Sequence, residues 1–355
     1  MFAFPRIPRR AQLAARISRR LSRQAVAAAC LGGSLLAVCQ PGLAQAAQPL
    51  VKVRYEEVVR SVLYLPMYVA LHRNLFKEAG LDVGMKTSQG TDKGMAALLS
   101  GSADIVLIGP EASVYVAGSE SPVKPRIFAG LTATDGFLLM SREPAPAGGF
   151  DWSRLKGKNI MSFRPGSNPD VFLETALRKH GLDPKQDVKL VNNIGPAARM
   201  GAWLAGQNDY ATFLEPEAGA LEKDGKGYVL ASVGAEAGPV DYTVFTTTDT
   251  YIRQHPEVLK AWTQVIAQAD RIVQSAPADQ LAADVAEFFP GITQPELAHA
   301  IERYRTYHLW KATPAVTAQA IETLQDMLVT SGVLEPGKRV PYDQLVVGDF
   351  TAQVQ

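Results

Sequence analysis

Ala103-Asp104-Ile105-Val106-Leu107-Ile108 is the stretch on which the fold turns. A mostly apolar run this short has no polar face, which suits a strand covered on both sides, as in a parallel sheet. The segments before it set a rhythm. Val51-Lys52-Val53-Arg54-Tyr55 alternates apolar and charged residues as a strand does. Leu63 to Ala79 places Leu65, Val69, Leu71, Leu75 and Phe76 roughly on one helical face, with Gly80 to end it. Leu81 to Lys86 is a second strand, and Ser88-Gln89-Gly90-Thr91 turns into a helix through Leu99. Strand, helix, strand, helix, strand predicts a parallel α/β sheet.

The pattern then restarts. Lys158 to Phe163, Val188 to Asn192 and Asp209 to Leu214 read as strands, with helices over Pro169 to His180 and Ala197 to Ala205 between them. Pro144, Pro146, Gly148 and Gly149 separate the two units, which suggests two lobes, although no sequence repeat links them. After Tyr242 the chain reads as mainly helical. His255 to Gln274 carries Val258, Leu259, Trp262, Val265, Ile266, Ala269, Ile272 and Val273 on one stripe, and Val316 to Leu328 carries another.

Residues 1–46 read as an export signal. Seven arginines and no acidic residue precede an apolar run from Ala25 to Cys39, and Ala44-Gln45-Ala46 offers the small-x-small pattern for cleavage before Ala47. The apolar run is shorter than the roughly 20 residues a spanning helix needs. Ser18-Arg19-Arg20-Leu21 hints at the twin-arginine route, but polar Ser22 and Arg23 follow it; Leu36-Ala37-Val38-Cys39 approximates a lipidation site, but Val38 is large for it. Both cysteines, Cys30 and Cys39, fall in the segment to be removed, so a mature chain has no disulfide or thiolate chemistry. It would carry 29 basic against 35 acidic residues, a formal −6. That balance disfavours nucleic acid as a partner. The expectation is an exported periplasmic protein.

No catalytic or metal motif stands out. The histidines (His72, His180, His255, His299, His308) are scattered without metal-ligand spacing, and there is neither a Gly-x-Ser-x-Gly elbow nor a phosphate-binding Gly-x-x-x-x-Gly-Lys-Ser/Thr loop. No enzyme activity, cofactor or metal is expected.

Several segments together resemble a known family. They are Met67-Tyr68-Val69-Ala70-Leu71 with Asn74 to Val83, Met95 to Ile105 with its Gly101-Ser102-Ala103-Asp104-Ile105, Leu155 to Ile160, Leu204 to Tyr210, and Glu215-Pro216. In order and spacing they are similar to periplasmic substrate-binding proteins of ABC importers, in the nitrate/sulfonate/taurine and thiamine-pyrimidine-precursor group. The likeness runs from about Val51 to Glu257. Eukaryotic relatives of the pyrimidine-precursor group are enzymes with a cysteine-rich motif, which is missing here. The resemblance implies a two-lobed α/β binding-protein fold (type II), each lobe a mainly parallel sheet flanked by helices, with two hinge crossings. It implies a monomer that captures a small-molecule ligand and delivers it to an ABC permease in the inner membrane. A ligand sensor docking on a membrane receptor would carry the same features. Thr134-Asp135-Gly136 and Tyr242-Thr243-Val244 are the candidate crossings. They divide the chain into lobe 1 (47–135 plus 246–355) and lobe 2 (136–245).

Ligands of open α/β sheets bind beyond the carboxyl ends of the strands, which selects six loops. In the first unit these hold Arg60, Ser61 and Tyr64; Gln89, Gly90 and Thr91; and Pro110 with Glu111. In the second they hold Arg164, Gly166, Ser167 and Asn168; Asn193 beside Asn192; and Glu215. Asp135 and Tyr242, at the crossings, complete the set. Gly166-Ser167-Asn168-Pro169 suits a helix amino end whose free N–H groups attract an anionic or polar group, though ordinary capping explains it equally well. Arg60 is suited to a bidentate hold on a carboxylate or sulfonate, or to a surface pairing with Glu56 or Glu57. Glu111 and Glu215 favour an amine or ring N–H, or serve the helix dipole. Tyr64, Phe163, Tyr210 and Tyr242 are candidates to stack on a flat ring, or core residues. The balance leans toward an amine-bearing or heterocyclic ligand over nitrate.

Overall fold

The first strand, β1 (Val51–Glu57), buries Val53, Tyr55 and Glu57 on one face. It pairs in parallel with β2 (Leu81–Thr87), Val51 opposite Leu81, and with β3 (Ile105–Ile108), every residue of which is buried. These assignments come from a computed structural model, which describes residues 49–352. The expected export signal and its cleavage near Ala46 lie outside the described residues. After β4 (Pro125–Thr132) the chain passes into a second sheet made of β5 (Leu138–Ser141), β6 (Asn159–Met161), β7 (Lys189–Val191), β8 (Tyr210–Phe213) and β9 (Tyr228–Ser232). It then returns to the first sheet with β10 (Thr243–Thr248).

The two sheets share one plan. Their strand orders are β2-β1-β3-β10-β4 and β7-β6-β8-β5-β9. In the first, β10 runs antiparallel to β3 and β4; in the second, β5 runs antiparallel to β8 and β9. Each reversed strand is the one that directly follows a passage between sheets, residues 133–137 or 238–242. The geometry explains why. The chain leaves one sheet at the carboxyl end of its parallel strands, enters the other sheet from the facing end, and so must run back against its new neighbours.

Helices after β10 finish the first sheet. The helix Pro256–Ser275 buries Val258, Leu259, Trp262, Val265, Ile266, Ala269 and Val273, while Ile272 is only half-buried. Trp262 packs against Tyr55, Phe76 and Phe245 at centroid distances of 5.4, 4.6 and 5.6 Å. Burying a side chain of that size dominates the local core energy. Two later helices reach the second sheet as well: Gln294–Thr306 contacts the helix Glu217–Lys223, and Ala318–Ser331 packs on Asn168–Lys179. Among the described residues no helix is long and apolar enough to cross a membrane.

The structure corrects the sequence reading in three places. The helix expected over Leu63 to Ala79 is three pieces: a 3₁₀ turn at Val62–Tyr64, then Leu65–His72 and Leu75–Glu78. Asn74 breaks it with φ 57°, a left-handed conformation that asparagine tolerates, and the kink turns Leu75 and Phe76 back into the core. The region after Tyr242 is mainly helical, as read, but opens with the strand β10, which the reading did not place. Finally, β4, β5 and β9 and the helix Pro110–Ala117 complete the layers that the rhythm of the first strands only began.

Candidate ligand-binding cleft

A cavity of about 490 Å³ lies at the carboxyl ends of the parallel strands of both sheets. Its walls are the loops after β1, β2 and β3 on one side and after β6, β7 and β8 on the other, with Phe137 and Tyr242 from the two passages between the sheets. Parallel strands all end on the same side of a sheet, so facing two such sheets brings six loops together from distant parts of the chain.

Most of the residues singled out from sequence line this cavity: Arg60, Ser61, Tyr64, Gln89, Gly90, Thr91, Arg164, Ser167, Asn168, Asn193, Glu215 and Tyr242. Their side chains are engaged in different ways. Arg60 Nε donates to Glu57 Oε1 at 2.7 Å, so its charge is matched by a fully buried carboxylate. Ser61 caps the 3₁₀ turn by accepting from the Leu63 N–H and donates its hydroxyl to the Glu215 carbonyl at 2.8 Å, tying the two sides together. The rim loop holds Gln89 at φ 58° and Gly90 at φ 150°; the second of these favours glycine. Arg164 pairs with Asp92 across the cleft at 3.0 Å. Asn168 Nδ2 donates to the Tyr242 carbonyl at 2.8 Å.

Pro110, Glu111, Asp135 and Gly166 stand outside the lining. Glu111 is buried beneath it, and its Oε1 accepts from the Asn168 N–H at 3.3 Å. Burial pushes its carboxyl up to about 7, against the pull of that N–H and its own helix amides. Asp135 is buried in the first passage and accepts from the Phe137 N–H at 2.7 Å; burial raises it to about 8. Gly166, at φ 78°, turns the loop after β6, and its carbonyl accepts from Tyr115 Oη at 2.8 Å, another tie between the sides. Glu215 does line the cavity, yet its carboxylate is committed to Arg303 at 2.6 Å and to the Gly219 N–H at 3.0 Å. Of the two glutamates behind the lean toward an amine, Glu215 is therefore occupied by the protein itself, and Glu111 lies beneath the lining with Oε1 engaged and Oε2 without a partner among the described residues. Tyr210 packs against Phe150, away from the cleft.

A family model, the NMT1-like family, matches residues 58–288, which hold all six loops and every strand of the two sheets except β1. The chain belongs to the NMT1-like family. This NMT1-like chain is 36% identical over 328 residues, 92% of its length and 96% of the relative's, to YtlA of Bacillus subtilis (strain 168), described as a candidate binding protein. It is 28% identical over 208 residues, 58% of its length and 62% of the other's, to the taurine-binding periplasmic protein of Escherichia coli (strain K12). Among solved structures it is similar to the alkanesulfonate-binding protein SsuA from Xanthomonas axonopodis pv. citri bound to MOPS. That match has a TM-score of 0.67 at 20% identity and covers 85% of this chain and 100% of the other. The likeness shows the fold expected from sequence, the two-lobed α/β architecture of periplasmic binding proteins.

Sequence reasoning passed over several cleft residues of this NMT1-like chain. Phe137, Phe163 and Phe213 give the cavity an aromatic face, with Phe137 and Phe163 packed at 4.7 Å. Of these only Phe163 was a candidate. Arg199, Thr212 and Glu217 also line it. Arg199 is buried, its guanidinium lying 3.8 Å from the Phe163 ring centroid. It donates to the carbonyls of Met161, Ser162 and Thr212, at the ends of β6 and β8. Burial pulls its pKa down to about 9. Among the described residues there is no group of three or more His, Cys, Asp or Glu able to hold a metal.

Proposed function

We propose that this chain is the solute-binding component of an ABC importer, capturing a small organic molecule in the cleft and delivering it to a membrane permease. The observation that carries the reading is one cavity built from strand ends of two sheets that the chain joins by two passages. Such an arrangement lets the halves close on a ligand as a hinge. In this reading the hinges fall at residues 133–137 and 238–242, close to the division into 47–135 plus 246–355 and 136–245. The relatives' names are those of binding proteins, which supports capture without catalysis. The arginine-rich start of the chain supports export to the periplasm with cleavage near Ala46, and the protein works there as a monomer.

Thermal unfolding of the chain beginning at Ala47, stripped of carried-over ligand by unfolding and refolding, tests this against sulfonates, carboxylates, amino acids, nitrate and pyrimidines. A ligand at 100 times its Kd adds about 2.7 kcal/mol, a shift of a few degrees at this size. A hit whose effect vanishes when cleft residues such as Tyr64 or Asn168 are replaced supports the reading. Turnover of any hit, or binding indifferent to those replacements, overturns it.

A further inference from the structure

Glu111 belongs to the first half, on the helix Pro110–Ala117 that follows β3, and it is buried just beneath the cleft lining. The N–H that meets its Oε1 comes from the second half: Asn168, at 3.3 Å, in the opening turn of the helix Asn168–Lys179. Asn168 in turn spends its side-chain N–H on the Tyr242 carbonyl at 2.8 Å, in the second passage between the sheets. Two acceptors are left over in this contact. Glu111 Oε2 and Asn168 Oδ1 are both buried, and neither has a donor among the described residues. The place where the halves meet is short of hydrogens, and a proton on the Glu111 carboxyl would supply one.

The ionised alternative is costly here, because a single long N–H contact is poor exchange for the water that a carboxylate loses on burial. Burial pushes the carboxyl up to about 7, ahead of the opposing pull of the Asn168 N–H, its own helix amides and the Arg164 charge. The other titratable and charged groups around it play different parts. Tyr64 from the turn after β1, Tyr115 from the next turn of the same helix and Tyr242 from the passage are phenols raised by burial, and they stay neutral. Arg164 pairs with Asp92. Asp170, near Asn168 in its helix, is raised to about 6 by burial but is held by Ser162 Oγ and the Gly166 N–H, both within the second half. Parting the halves would withdraw Asn168 and let cleft water reach Glu111, returning it to the range of an ordinary carboxylate. We propose that the halves close with uptake of a proton by Glu111, so that its protonated carboxyl is a latch and acid favours the closed form. This rests on the hinge reading above and adds the group that sets the balance between open and closed.

The test reads the distance between the halves in the chain beginning at Ala47, which has no cysteine of its own. Dyes insensitive to pH on Lys93→Cys and Ala197→Cys, exposed positions on opposite halves that do not line the cavity, report it by energy transfer. The closed-to-open ratio is expected to fall as pH rises from about 4.5 to about 7, by up to about 10-fold per pH unit, and to level off above that. Glu111→Gln keeps the shape and cannot ionise, so its distance should not change with pH. Asp170→Asn should leave the wild-type pH response in place. If Glu111→Gln does not fold, carbon-13 titration of the glutamate carboxyls decides, since one of them must titrate in step with the dye distance. A wild type whose distance ignores pH while a compound of the thermal screen shortens it, or a Glu111→Gln variant that responds to pH as the wild type does, overturns the latch and leaves the hinge standing. A distance fixed at every pH and with every compound overturns both.

Discussion

Glu215 is sealed from solvent, with Arg303 as its counter-charge and Tyr304 Oη accepting from its N–H at 2.8 Å. Arg303→Ala leaves that carboxylate alone in a low-dielectric setting and is expected to cost about 3 kcal/mol, seen as a lower urea midpoint. Adding Glu215→Gln should recover part of the loss, because the uncompensated charge is then gone. Glu111 makes a different prediction. Its carboxyl is raised from about 4.5 to about 7 by burial, so across that window the native chain holds a proton that the unfolded chain has released. Stability through this group therefore falls as pH rises from about 4.5 to about 7. Glu111→Gln should remove up to about 1.4 kcal/mol per pH unit of that slope, measured by unfolding at a series of pH values. From sequence, Glu111 and Glu215 were legible as strand-end acids. That Glu111 is buried beneath the lining against a helix amide, and that Glu215 is paired with an arginine 88 residues away, was not.

The helix break at Asn74 shows what limits reading at the scale of elements. Periodicity placed the apolar residues of Leu63 to Ala79 correctly on one side, yet it carries no information about a single left-handed residue that splits the run. Asn74→Gly is expected to be near neutral, and Asn74→Leu to cost about 1–2 kcal/mol in thermal unfolding, because a branched side chain in the left-handed region is strained. Strands β1, β2, β3, β6, β7 and β8 were legible because each is followed by a helix and bounded by turn residues. β5 is followed by a long irregular segment to a 3₁₀ turn at Trp152–Leu155, β9 follows Gly225 and Gly227 directly, and β10, Thr243–Thr248, is threonine-rich and runs directly into helices. The cleft was partly legible for a related reason. Loops at strand ends can be counted off in order, whereas Arg199 and Glu217 sit in first helical turns, where rotation about the helix axis decides what they face.

At the scale of the molecule, the two halves are tied by more than the passages between their sheets. Tyr115 Oη to the Gly166 carbonyl, Arg164 to Asp92 and Ser61 Oγ to the Glu215 carbonyl all cross the cleft. Tyr115→Phe removes one of these at an expected cost of about 1 kcal/mol. In small-angle scattering its ligand-free form should show a larger radius of gyration than the wild type. The helices Gln294–Thr306 and Ala318–Ser331 touch both halves, through Lys223 with Glu296 at 2.8 Å and Arg178 with Ser331 at 3.3 Å. Motion between the halves has to slide or carry these contacts.

The position of β10 has a further consequence, for the order of assembly. The second sheet is contiguous in the chain, but the first keeps a vacant central slot between β3 and β4 until Thr243–Thr248 arrives. During synthesis the opening segments must wait, with strand edges unpaired, for the whole intervening half to emerge. Long-range pairing of this kind is slow and exposes sticky edges meanwhile. In pulse-labelled hydrogen exchange during refolding, amides of Tyr210–Phe213 should therefore gain protection before those of Val244–Thr246. On that expectation the inserted half matures first, and the half that begins the chain is the one that finishes it.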